Sequence, residues 1–264
     1  MRAELAALFT KFVRYSAHWR GLWPAPLLIA AIVLVPAAGP LFHALFPDLR
    51  NPIYGRASFL ELTLAHCQLV AISSFVAAAV GIGLGIFVTR ESGREFAPIV
   101  SAIAAAGQTF PPIAVLALAI PSLGYGAAPT LAALAVYAIL PILEATITGL
   151  HAVPAGARDA AIGIGFARSD LLRRIELPLA LPFIVAGLRN AVIINIGTAT
   201  IGSSVGALSL GSPIIEGLSA SNPAYVLQGA IIVGLLAVTS DRLFDWLEGS
   251  RLFLDLKGGG FNGG

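Results

Sequence analysis

The sequence predicts an all-α protein that crosses a membrane about six times and carries one long polar loop. Of its 264 residues, 57% are hydrophobic and only 11% are charged, whereas soluble domains carry about 25% charged residues. Long uncharged runs alternate with short charged segments, and the 16 Lys and Arg residues are spread unevenly among those segments. Such a chain cannot cover a water-facing surface, so we expect it to lie in a bilayer.

The first uncharged run, from Gly21 to Pro47, follows a basic segment over 1–20. A secretory signal peptide is the alternative, because 37–39 resembles a cleavage site. The apolar region of a signal peptide has only about 7–15 residues, so the longer run favours a first span. The prolines at 24, 26, 36 and 40 leave the ends of that span undefined.

The second span is predicted over 58–89, after a short outer loop over 48–57. Its uncharged centre is long enough to cross about 30 Å of hydrocarbon. Gly81, Gly83 and Gly85 lie near its inner end, where small residues permit close contact between helices.

The third and fourth spans share one uncharged run, from Phe96 to Leu143. This run is too long for one crossing, and its Pro- and Gly-rich segment 121–129 divides it. We therefore predict spans over about 97–120 and 129–149. The Pro111-Pro112 pair removes backbone donors and should break or kink the third span.

The segment 151–178 is the long polar loop. Pro154 favours a first helical turn, and Asp159 is expected early in the helix, near its positive end. Ala160 and Ala161 carry so little side chain that another protein could approach the backbone. Gly163 and Gly165 would then allow a sharp exit. The loop is thus predicted to hold a short surface helix.

The fifth and sixth spans are predicted over about 179–206 and 224–240, with a re-entrant or surface stretch over 207–223 between them. All Lys and Arg residues except Arg50, Arg56 and Arg189 then fall on one side. Because cytoplasmic loops are rich in Lys and Arg, both termini are predicted to be cytoplasmic. The tail over 247–264 is expected to be disordered towards its end.

The loop as a whole resembles the EAA loop of ABC-importer permeases. That motif has Glu-Ala-Ala, three residues, Gly, nine residues and Ile-x-Leu-Pro, and this chain matches it at 160–161, Gly165 and 175–178. The one departure is Asp159, which keeps the charge of Glu on a shorter side chain. The resemblance implies that the loop docks into a cleft of an ATP-hydrolysing subunit.

The resemblance extends over roughly 58–246, which we take as the permease domain, and leaves 1–57 outside. The segments 107–112, 140–143, 176–182, 186–189 and 194–200 are similar to the osmoprotectant branch of these permeases. That branch imports glycine betaine, choline and related quaternary amines. This chain would therefore be a multi-pass protein of a bacterial inner membrane, with such a solute as its substrate.

The family likeness implies one group of site residues, the docking residues, and several partners. The residues expected to dock the ATPase are Ala157, Arg158, Asp159, Ala160, Ala161, Ile162, Gly163 and Gly165. The expected partners are two ATPase subunits, a second permease subunit that is identical or similar, and an extracytoplasmic binding protein. No cofactor is expected in this chain, and ATP and Mg would be bound by the ATPase.

Uncharged polar residues and one proline form a second group, the candidate translocation path or gate. They are Gln108, Thr109, Pro111, Asn195, Thr198 and Thr200. Hydrogen bonding between helices is the alternative role for the polar residues among them.

Two other classes of function find less support. Gly202-Ser203-Ser204-Val205-Gly206 matches a nucleophile elbow, but no His lies nearby in the sequence, and the sequence contains no P-loop. We therefore expect neither catalysis nor ATP binding by this chain, and nothing in its net charge of +2 suggests nucleic-acid binding. An ion-coupled transporter or channel would need ionisable groups near the membrane centre, where few acids occur.

Isolated residues receive structural interpretations. Arg189, the one charge well inside a span, is expected to snorkel or to pair with Glu144 rather than to act as a gate. His43 and His66 are predicted near the outer surface, without a metal. Cys67, the only cysteine, excludes an internal disulfide and is predicted to be a small packing residue.

Overall fold

The computed structural model describes residues 22–248, and within that range every regular element is helical. The predicted cytoplasmic segment 1–20 and nearly all of the predicted tail lie outside the described residues. The helices are α1 (Pro24–Leu34), α2 (Gly39–Leu45), α3 (Phe59–Val88), α4 (Ala97–Thr109), α5 (Pro112–Leu123), α6 (Ala127–His151), α7 (Ala155–Gly163), α8 (Arg168–Leu171), α9 (Leu177–Thr198), α10 (Gly211–Ser219) and α11 (Pro223–Glu248).

Four helical stretches of the described chain are long and apolar enough to cross a bilayer. They are α3, α6, the run from Arg168 to Thr198 that contains α8 and α9, and α11. Two bent pairs raise the number to six if each pair is one span, which agrees with the predicted count. The predicted fifth span ends too late, since α9 stops at Thr198, and the sixth ends too early, since α11 continues to Glu248.

The bent pairs lie where prolines interrupt the sequence. The chain bends by 78° between Pro24–Ala37 and Gly39–Leu45, and by 97° between Arg94–Thr109 and Pro112–Leu123. Phe110 and Pro111 both have extended backbones, with ψ of 137° and 135°, because a residue before proline avoids the helical region. The predicted third span is thus broken at Pro111-Pro112, as expected, and does not form one straight helix.

Helix α6 occupies the centre of the molecule, packed between α3 and α9. Small residues bring α3 close to it: a Cβ added to Gly85 would lie 2.7 Å from Thr146, and one added to Gly81 would lie 3.1 Å from Ile142. Gly83 faces away and meets nothing within 4 Å, since residues four apart share a helix face. The predicted close packing is confirmed at Gly81 and Gly85 and is wrong at Gly83.

Different elements form the two ends of the helical bundle, the loop 48–57 at one end and α7 at the other. At one end, Gln228 of α11 fixes the loop 48–57, because its Nε2 donates to the Pro52 carbonyl at 2.6 Å and its Oε1 accepts from Tyr54 N at 3.1 Å. Arg56 pairs there with Glu216 at 2.8 Å. The other end carries α7 and is called the α7 end below.

Two predictions about single residues are wrong. His66 is fully buried, and its Nε2 lies 3.0 Å from the Ile196 carbonyl. Cys67 is exposed on this chain rather than packed inside it. Neighbours on a helix point in different directions, so His66 faces the core where Cys67 faces outward.

Candidate functional site

Helix α7 is built by local signals at both of its ends. Pro154 precedes it with an extended ψ of 135°, and its carbonyl accepts from the amide of Ala157 at 3.1 Å. At the other end, Gly165 has φ of +88°. Its amide donates to the Ile162 carbonyl at 2.9 Å, and that of Phe166 donates to the Ala161 carbonyl at 3.0 Å. This bond pattern is a Schellman motif, in which glycine takes the left-handed position.

The predicted surface helix and its exit at Gly165 are therefore confirmed, but Asp159 is not at its start. Asp159 lies in the middle of Ala155–Gly163, and the first turn contains no acid. The residue therefore cannot favour the positive end of the helix as predicted, because the dipole acts within the first turn.

The predicted docking residues fall on two sides of α7. Asp159, Ala160, Ile162, Gly163 and Gly165 are exposed. Ala161 is buried and Ala157 is half-buried, so these two offer little surface to a partner. The exposed side also includes Ile164, whose 75% exposure the sequence reasoning did not use. An exposed isoleucine pair at 162 and 164 is an apolar contact that a partner could cover.

Arg158 turns inward and ties α7 to the membrane helices. Its Nε lies 2.8 Å from Glu176 Oε1, and its Nη2 donates to the carbonyl of Leu150, near the end of α6. Arg90, which follows α3, places its Nη1 2.7 Å from Glu176 Oε2. The carboxylate, only 4% exposed, thus holds two guanidinium groups. We call Arg90, Arg158 and Glu176 the Glu176 cluster.

The Glu176 cluster joins the α7 end of the molecule into one unit. Glu176 ends a π-helical turn over Leu172–Glu176 that leads into α9. The buried Glu176 carboxylate connects α7 to the end of α3 and to the beginning of α9, and Arg158 itself connects α7 to the end of α6. The sequence carried a weak signal for this role, because Glu176 is the one acid in the otherwise apolar segment 175–182.

The six candidate pathway residues do not gather in one place. Asn195 is buried, where its Nδ2 donates to the hydroxyls of Ser73 and Ser74 at 3.1 and 3.2 Å. Thr198 and Thr200 donate to carbonyls of their own chain segment. The Asn195 contact joins α9 to α3 and supports the alternative role in hydrogen bonding between helices, whereas the Thr198 and Thr200 contacts are local.

Gln108, Thr109 and Pro111 lie around the break between α4 and α5. Thr109 donates to the Ala106 carbonyl of its own helix at 2.8 Å, while Pro111 is exposed at the bend. Gln108 differs, because it crosses to α6 by donating to the Tyr137 carbonyl at 2.6 Å and also lines a cleft of about 390 Å³ between α6 and α9. We call this the α6–α9 cleft.

Arg189 is held by partners that the sequence reasoning did not find. Its Nε lies 2.6 Å from Asp241 Oδ1 and its Nη1 lies 2.6 Å from Asp245 Oδ1, both on α11. The predicted pairing with Glu144 is wrong. Asp241 and Asp245 are one helical turn apart, so they face the same neighbour. Arg189 thus joins α9 to α11.

Ser203 in the Gly-x-Ser-x-Gly segment is placed in a structural network. Its hydroxyl lies 2.8 Å from that of Ser209 and 3.2 Å from that of Ser212. Gly202 packs against Thr130, and Gly206 takes a positive φ of 86°. The Ser203 hydroxyl is thus hydrogen-bonded to other hydroxyl groups and not to a side chain that could act as a general base.

Comparisons with known proteins agree on one family and one fold. The model of the family described as "Binding-protein-dependent transport system inner membrane component" matches residues 81–251. The osmoprotectant import permease protein OsmY of Salmonella typhimurium is 40% identical over 197 residues, which cover 75% of this chain and 83% of that relative. The glycine betaine/carnitine/choline transport system permease protein OpuCD of Bacillus subtilis is 39% identical over 197 residues, covering 74% and 85%.

Two further matches extend this set. The carnitine transport permease protein OpuCD of Listeria monocytogenes is 38% identical over 184 residues, covering 69% of this chain and 82% of that relative. Among solved structures, an inward-facing form of the MetNI methionine ABC transporter gives a TM-score of 0.62 at 22% identity, covering 73% of this chain and 93% of the other. That likeness concerns the fold.

Proposed function

This chain belongs to the family of binding-protein-dependent transport system inner membrane components, the permeases of ABC importers, and from that premise we propose how it is driven and what it carries. An ATPase subunit docks on the exposed side of α7, and its movement reaches the membrane helices through the Glu176 cluster. The observation that carries this proposal is the buried Glu176 carboxylate, which binds Arg158 of α7 and Arg90 at once.

The contacts at the α7 end indicate how a displacement of α7 would reach the membrane helices. A displacement of α7 acts on Arg158, whose guanidinium is bonded to Glu176 and to the Leu150 carbonyl. Glu176 is bonded in turn to Arg90. Because hydrogen-bonded charge pairs are strong and directional, α7 and the adjoining ends of α3, α6 and α9 would shift together and open or close the pathway.

The proposed substrate is a small quaternary amine that serves as an osmoprotectant. Its support is the names of the relatives, which concern osmoprotectants, carnitine, choline and glycine betaine. In this proposal the chain pairs with a second permease copy or a similar chain, and an extracytoplasmic protein delivers the amine. Two ATPase subunits bind ATP and Mg, while the permease itself catalyses no reaction. The α7 end and both termini face the cytoplasm of a bacterium.

Uptake into vesicles tests this function. The permease is reconstituted with its ATPase and binding protein, and entry of labelled glycine betaine is measured with ATP supplied to the ATPase side. We expect uptake that requires ATP and that unlabelled choline or carnitine reduces by competition. Uptake driven by an ion gradient without ATP would instead identify a secondary transporter.

A further inference from the structure

The α6–α9 cleft is lined by residues of three helices, α4, α6 and α9. Its wall includes Gln108 of α4, Glu144 and Thr148 of α6, and Phe183 and Asn190 of α9. Glu144 precedes the end of α6 at His151 by seven residues, or about 10 Å along the axis at 1.5 Å per residue. Glu144 therefore lies inside the candidate membrane span formed by α6.

Glu144 is the unusual member of this wall. Its side chain is exposed, and among residues 22–248 it has neither an ion pair nor a hydrogen bond. Arg189, the charge within the neighbouring α9, is already bound to Asp241 and Asp245. An acid inside a membrane span is costly and usually faces a water-filled cavity or a partner of opposite charge. The cleft supplies the cavity, and no Lys or Arg of the described chain pairs with Glu144 in it.

Phe183 adds a second chemical feature to the same wall. It is 41% exposed, so part of its ring surface is open to a ligand. A quaternary ammonium has no N–H group and cannot donate a hydrogen bond, but it is attracted to the face of an aromatic ring. A carboxylate at short range adds Coulomb attraction for the same cation.

We propose that the α6–α9 cleft is a binding site for a quaternary ammonium group in transit, with Glu144 supplying the charge and Phe183 the aromatic face. This inference rests on the proposed function and deepens it, because it places a substrate contact on the permease itself. The amides of Gln108 and Asn190 line the rest of the cleft and can bond the hydroxyl or carboxylate of the substrate. Glu144 would then act as a specificity-determining residue.

The charge of Glu144 predicts an order of preference between two substrates. Choline carries a net positive charge, whereas glycine betaine carries its own carboxylate close to the ammonium. Glu144 attracts the ammonium of both but repels the carboxylate of glycine betaine. Removing the charge should therefore harm choline more than glycine betaine.

The test measures initial uptake of labelled choline and labelled glycine betaine by the reconstituted importer carrying Glu144→Gln. We expect choline uptake at low concentration to fall about tenfold, equivalent to about 1.4 kcal/mol, and glycine betaine uptake to change less than about threefold. Phe183→Leu should lower both several-fold, since both substrates carry the same trimethylammonium group. Glu61→Gln, an exposed acid at the far end of α3, is the matched control and should leave both rates unchanged.

ATP hydrolysis in the same vesicles separates binding from assembly. Unchanged hydrolysis without substrate, together with the shifted choline to glycine betaine ratio, supports the proposal. An unchanged ratio in Glu144→Gln, or equal loss of both substrates with loss of hydrolysis, overturns it, because Glu144 would then be a lipid-facing or interface residue. If the wild-type importer carries neither amine, the proposed substrate class is wrong. That result differs from failure of the cleft proposal alone, in which the wild type carries both amines and Glu144→Gln leaves their ratio unchanged.

Discussion

Glu176 shows how one side chain can connect a surface helix to the membrane part of the molecule. Its carboxylate is buried, and each oxygen meets a different guanidinium. Removing one partner from a buried ion cluster leaves the others without compensation, which costs about 3–5 kcal/mol in measured cases. An exposed pair at the same end of the molecule, Glu91 with Arg168 at 2.8 Å, offers a comparison.

The change Glu176→Gln should lower stability and uncouple α7, because it leaves Arg90 and Arg158 without a counter-charge. We expect a loss of about 3 kcal/mol and a clear drop in the thermal midpoint of the purified permease. Glu91→Gln removes an exposed charge from an exposed pair, and such pairs contribute at most about 1 kcal/mol. Equal midpoints for the two variants would show that the Glu176 cluster does not hold this end together.

Residue contacts of this kind were the least predictable feature of the chain. Arg189 was expected beside Glu144 because both lie towards the same end of adjacent spans, yet Asp241 and Asp245 bind it. The sixth span was predicted to end at residue 240, before Asp241 and Asp245. Helix α11 was therefore not expected to place these two acids beside α9. His66 was misplaced for a similar reason, since which side of α3 is buried depends on how α9 packs.

At the scale of elements, the fold depends on how closely α3 and α6 approach. Gly85 and Gly83 are two residues apart on α3, but only Gly85 faces α6. The change Gly85→Ala should destabilise the permease by about 1–3 kcal/mol, because the new methyl group overlaps Thr146. The measurement is the thermal midpoint of the purified protein.

The matched control is Gly83→Ala, which meets nothing within 4 Å. Alanine is a better helix former than glycine by about 0.5–1 kcal/mol, so this variant should be unchanged or slightly more stable. A larger loss for Gly83→Ala than for Gly85→Ala would mean that α3 presents a different face to α6.

Elements were more predictable than contacts, since proline and glycine act on the backbone locally. Pro111 and Pro112 indicated the break between α4 and α5, and Pro154 and Gly165 indicated both ends of α7. The 97° bend at the first of these sites could not be anticipated, because its size depends on what α5 packs against. The π-helical turn before α9 had no local signal at all.

At the scale of the whole molecule, we propose that α7 transmits the movement of an ATPase to the membrane helices. Substitutions at Asp159 and Gly165 can test this proposal, because neither residue lies in a candidate membrane span. Gly165, which follows α7, has φ of +88° and an added Cβ there would meet nothing within 4 Å. A β-branched residue at this position therefore strains the backbone without overlapping a neighbouring atom.

The most direct measurement is the stimulation of ATP hydrolysis by substrate-loaded binding protein in vesicles that contain the assembled importer. For Asp159→Lys, which reverses the exposed charge of α7, and for Gly165→Val, we predict at least a several-fold loss of stimulation and of uptake, with the ATPase still retained in the complex. Glu61→Gln, which changes an exposed acid at the opposite end of α3, should stimulate like the wild type. Wild-type stimulation and uptake in both Asp159→Lys and Gly165→Val would show that α7 is only a surface loop and would contradict the account.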